Sequence, residues 1–87
     1  MRGHTNWRGP RRRQEREQLQ RLMTILREAP AVGQDALDSV EKEVDEIGAW
    51  ALERAADKAM AAEQFQVFSL VVIQVRQIIE RRRERRC

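Results

Sequence analysis

The chain of 87 residues has no tyrosine, one cysteine, one histidine, two prolines and four glycines. Each shortage excludes something. The lone cysteine, Cys87, cannot form an intramolecular disulfide or a cysteine-ligated zinc site, and it suits a reducing compartment. The lone histidine, His4, leaves no His/Cys/Asp set at metal-ligand spacing. No Gly-rich phosphate loop and no nucleophile motif is present. Glu43, Asp45 and Glu46 are the best remaining acid–base candidates, but a charge run of this kind belongs on a solvated helix face. No enzyme activity, metal or cofactor is therefore expected.

Long apolar runs are missing too. The stretch from Val67 to Val75 is interrupted by Ser69 and Gln74, and it falls well short of the ~20 residues that cross a bilayer. The N-terminal residues are polar and contain no apolar signal-peptide core. The chain is expected to be intracellular, cytoplasmic or nuclear/nucleolar, and not secreted. Its length allows one domain with a modest core, the size range in which oligomerisation often adds stability.

What is present is arginine, glutamate and the good helix formers. Fifteen of the seventeen basic residues are Arg. Residues 1–30 carry a net charge of +5, residues 31–63 of −6 and residues 64–87 of +4. The chain is thus basic, acidic, basic. Arginine suits planar, bidentate contact with phosphate or carboxylate, although a GC-rich genome gives the same preference over lysine.

The apolar spacing predicts an all-α protein. Residues 1–10, with two Gly and a Pro, read as a flexible basic arm, and 11–86 as one helical domain. Helix 1 is expected over about 11–29, where Leu19, Leu22, Leu26 and Ala29 form a stripe widened by Met23 and Ile25. Pro30 and Gly33 end it. Helix 2 is expected over about 35–60 with Asp35 as N-cap and Leu37, Val40, Val44, Ile47 and Ala51 as its seam. Helix 3 is expected over about 64–86. Phe65, Phe68, Val72, Val75 and Ile79 form its seam, and Val67, Leu70, Val71, Ile73 and Ile78 a second apolar side. No Gly or Pro separates helices 2 and 3, so one continuous helix is an alternative. Arg54 and Lys58 on the shared seam favour a break near residues 57–64.

A helix apolar on most of its surface calls for more cover than two short neighbours supply. The expected assembly is a homodimeric four- to six-helix bundle with arginine-rich termini, with Phe65, Phe68, Val72, Val75 and Ile79 at the dimer interface.

The arginine clusters are the candidate binding site. Arg8, Arg11, Arg12, Arg13 and Arg16 make one group. Arg76, Arg81, Arg82, Arg83, Arg85 and Arg86 make the other. Rows of arginine on a helix can follow a phosphate backbone, and arginine-rich helices read RNA largely through its shape. The expected function is a nucleic-acid-binding helical dimer that favours duplex RNA over DNA and lacks base specificity. This layout is similar to that of small viral or mobile-element regulatory proteins. The alternative is a non-enzymatic assembly or adaptor module whose arginines serve targeting or partner binding. An anionic membrane surface is disfavoured, because the cations lie beyond the apolar stretch and not along its opposite face.

Overall fold

A computed structural model describes the backbone of residues 2–85 and the side chains of residues 12–85. Three α-helices, α1 (Arg2–Glu28), α2 (Leu37–Ala56) and α3 (Ala62–Arg85), pack up-down-up, and no strand occurs among the described residues. The molecule measures 59 × 20 × 16 Å, with α1 and α3 parallel and α2 antiparallel to both.

Each helix contributes the face that its spacing predicts, with small shifts. From α1 come Leu22, Ile25 and Ala29, with Leu19 and Leu26 half-buried beside them. Of the two residues expected to widen the stripe, Ile25 is buried and Met23 is instead 46% exposed. From α2 come Leu37, Val44, Ile47 and Ala51. From α3 come Phe68, Val71, Val72, Val75 and Ile79. Met60, in the α2–α3 connection, closes the core at that end. Trp50 packs against Phe68 with ring centroids 5.8 Å apart, and the Arg54 guanidinium lies 5.0 Å from the Trp50 ring centroid.

This packing corrects the expected dimer seam. Phe68, Val72, Val75 and Ile79 are all buried within the single chain, and Phe65 is half-buried against the same core. Helices α1 and α2 therefore cover the face of α3 assigned above to a second subunit. The large apolar residues of α3 left exposed are Val67, Leu70 and Ile73, which lie off that seam.

The connections also differ in detail from the expectation. The backbone of α1 is helical from Arg2, across the stretch read as an arm. The side chains of that stretch, including Trp7, lie outside the described residues. Between α1 and α2 a short 3-10 turn, η1 (Gln34–Ala36), holds Asp35 in its first turn. The N-cap of α2 is Ala36, which makes no side-chain capping bond, so Asp35 is not the cap.

Between α2 and α3 the helix breaks, as the polar seam positions predict. The Lys58 amide donates to the Ala55 carbonyl, and the Ala59 amide donates to the Arg54 carbonyl. That pair of bonds is the Schellman ending, with Lys58 at the position that glycine usually fills. Its φ of 59° lies in the left-handed region. The chain turns and restarts with the Phe65 amide donating to the Ala61 carbonyl.

Candidate nucleic-acid interface

The acidic middle helix divides the arginines into two populations. Those on the sides of α1 and α3 that face α2 meet its carboxylates. Arg21 on α1 forms a fork with Glu43, with Nε donating at 2.5 Å and Nη2 at 2.8 Å. Arg76 on α3 donates to Asp45 at 2.6 Å. Arg83 bonds Asp38 and lies 2.9 Å from Glu41. Hydrogen bonding from Arg21, against a smaller opposing effect of burial, holds the Glu43 carboxyl below its usual range. The same hydrogen bond raises Arg21 above its usual value. Hydrogen bonding to Glu41, and then to Asp38, raises Arg83 likewise.

Arg82 is engaged differently. Its Nη1 donates to the carbonyls of Ala29, at 3.1 Å, and Val32. These lie just past the end of α1, where helical carbonyls lack intrahelical partners. Pro30 stops the helix there, and a cation satisfies the freed acceptors. Arg82 therefore belongs to the fold. Of the sequence-predicted site residues, Arg76, Arg82 and Arg83 are committed to internal partners.

The second population faces away from α2. Arg12, Arg13 and Arg16 on α1, and Arg81 and Arg85 on α3, are exposed and form no ion pair among the described residues. Arg27 joins them, although it stands outside both arginine clusters of the sequence. Its signal was legible. Eleven residues separate it from Arg16, and at 100° per residue that spacing returns to within about 20° of the same side of a helix. Arg16, Leu19, Met23 and Arg27 line one shallow groove. Arg12 falls on the same side by the same rule, and the row from Arg12 to Arg27 runs about 22 Å at 1.5 Å per residue.

A second groove joins the helices. Pro30, at the end of α1, lines it with Ile78, Arg81, Arg82 and Arg85 of α3. Arg21 and Arg76 turn toward α2, so the edges of α1 and α3 opposite those contacts border each other. Arg27 lies in the last turn of α1, and Arg81 and Arg85 lie in the last two turns of the parallel α3, while Arg12 and Arg16 lie earlier along α1. Arg8, Arg11 and Arg86 lie outside the residues whose side chains are described.

This edge can bind polyanions by charge and by bidentate hydrogen bonding. It contains no cluster of His, Cys, Asp and Glu able to hold a metal ion among the described residues. No described helix is long and apolar enough to cross a membrane. Compared with known proteins, the chain matches no family model, no curated protein and no solved structure.

Proposed function

We propose that the protein binds nucleic acid, preferably duplex RNA, by laying the α1–α3 edge along the phosphate backbone without reading bases. The observation that carries this reading is the sorting of the arginines. Helix α2 neutralises Arg21, Arg76 and Arg83, whereas Arg12, Arg16, Arg27, Arg81 and Arg85 stay exposed along one edge. The preference for arginine over lysine suits phosphate oxygens. The preference for duplex RNA rests on shape, because A-form helices are read through backbone and 2′-hydroxyl contacts more than through base edges.

A gel shift with duplex RNA and duplex DNA at low salt tests the proposal. The parent chain should retard both and favour RNA, while a variant with Arg16, Arg27, Arg81 and Arg85 changed to Ala should lose most of the shift. Retention of full binding by that variant would reject this edge. Absence of binding by the parent would reject the function.

The second reading, a protein-assembly module, has one observation of its own. Leu52, Leu70 and Ile73 are 59%, 60% and 51% exposed. Leu52 and Ile73 line a groove between α2 and α3 that contains none of Arg12, Arg16, Arg27, Arg81 and Arg85, so at these two residues the readings concern different surfaces.

A further inference from the structure

The apolar face left open by the folded chain is a shallow groove between α2 and α3. One lip carries Asp45, Ala49 and Leu52. The other carries Phe65, Ser69, Ile73 and Arg76. Gly48 lies in its floor. Three features distinguish it from an ordinary exposed surface.

First, the chain's own packing does not explain the glycine. A Cβ at Gly48 would meet the Val72 methyls at 3.7 and 3.9 Å, which is ordinary contact. Glycine within a helix costs about 1 kcal/mol relative to alanine. Alanine would fit against Val72 and favour the helix, so folding of the single chain does not require this glycine.

Second, the face is nearly free of charge in a protein that is 36% charged. Its two ionic groups, Asp45 and Arg76, already pair with each other and are 53% and 55% exposed. Two such faces can approach without net repulsion, and each offers one charge of each sign to the other.

Third, large and small residues alternate across the groove. The Asp45–Arg76 pair and the nearness of Gly48 to Val72 fix the antiparallel register of α2 and α3. In that register Ile73 lies level with Gly48, and Leu52 lies level with Ser69. A two-fold axis parallel to the helices lays α2 of one copy on α3 of the other at the same levels. Each Ile73 then meets the partner's Gly48, beside Ala49, each Leu52 sits over the partner's Ser69, and each Asp45 faces the partner's Arg76. An isologous interface needs this kind of self-complementary patch.

We infer that this groove is where a second copy of the chain docks, through α2 and α3, forming a symmetric dimer with a four-helix contact layer. The dimer covers Leu52 and Ile73 and leaves the α1–α3 arginine edge of each copy exposed. The inference stands apart from the nucleic-acid reading, because no arginine of that edge takes part.

The test is sedimentation equilibrium on the full chain and on the Ile73→Glu variant. Ile73 is half-exposed, so the single chain should keep its fold, which far-UV circular dichroism checks. The parent should approach twice its 10.3 kDa mass as concentration rises through the micromolar range, and Ile73→Glu should remain at one chain mass at least tenfold higher. A second measurement is independent of the stability of that variant. Ala49→Cys and Ile73→Cys proteins, each also carrying Cys87→Ser, are mixed and oxidised. The expected product is a crosslinked 49–73 heterodimer in excess of either homodimer. A parent that stays monomeric, or a dimer that neither responds to Ile73→Glu nor yields that crosslink, overturns the inference. A parent that stays monomeric until another protein is added reassigns the groove to that partner.

Discussion

Lys58 holds a left-handed backbone conformation with φ 59° at the end of α2. A residue with a Cβ is strained there by about 1–2 kcal/mol, and glycine is not. Lys58→Gly should therefore stabilise the chain by about 1 kcal/mol, somewhat less than the strain because glycine is also freer when unfolded. Urea denaturation should show a higher midpoint with an unchanged slope. A lower midpoint would mean that the lysine makes contacts worth more than its strain. The position of this turn was readable only indirectly. No Gly or Pro marks it, but Arg54 and Lys58 on an otherwise apolar seam showed that the helix could not continue against the same partner.

The role of Arg82 was not readable at all. In sequence it is one of five similar arginines, and only the tertiary fold brings it to the carbonyls of Ala29 and Val32. Arg82→Ala leaves those acceptors without that donor and should cost about 1–3 kcal/mol. Arg81→Ala, at an exposed site one residue away, should change stability by less than about 0.5 kcal/mol. Thermal unfolding of the two variants makes the comparison, and equal losses would contradict a separate structural role for Arg82.

At the scale of elements, α2 acts as a counter-charge for the two basic helices. The Arg21–Glu43 fork is its best-formed contact, with both side chains substantially exposed. Because the folded state holds Glu43 below its usual range, the fork's contribution is complete above that range. It is lost as pH falls through the lowered folded value. For an exposed pair the contribution is below about 1 kcal/mol. The urea midpoint should therefore fall as the solution is acidified below the ordinary glutamate range, and Glu43→Gln should show a smaller fall. Identical acid profiles for parent and variant would deny the fork any stabilising role.

Helix α3 shows what periodicity can and cannot deliver. The 3–4 spacing from Phe65 to Ile79 identified a buried face, because burial of one side of every turn leaves that imprint whatever covers the helix. It could not identify the cover. The chain's own α1 and α2 supply it, and the proposed contact with a second copy rests instead on Leu52 and Ile73, which the same spacing leaves outside the seam.

For the molecule as a whole, the all-α class was legible in the apolar spacing and the basic–acidic–basic order in the placement of charge along the chain. The division of the arginines needed three dimensions. Arg76 and Arg83 look as available as Arg81 and Arg85 along the chain, yet α2 stands opposite one pair and not the other. On this division rests the central claim, that a specific row of guanidinium groups is kept for phosphate.

The most direct measurement is the salt dependence of duplex RNA binding, compared between two variants. One changes the exposed set, Arg16, Arg27, Arg81 and Arg85, to Gln. The other changes two internally paired residues, Arg21 and Arg76, to Gln. Removing one arginine–phosphate pair should lower the slope of log affinity against log salt by about one. The first variant should drop several units of slope and bind weakly at every salt concentration, while the second should keep the parent slope. Equal reductions in both variants, or a parent affinity that does not respond to salt, would contradict the account.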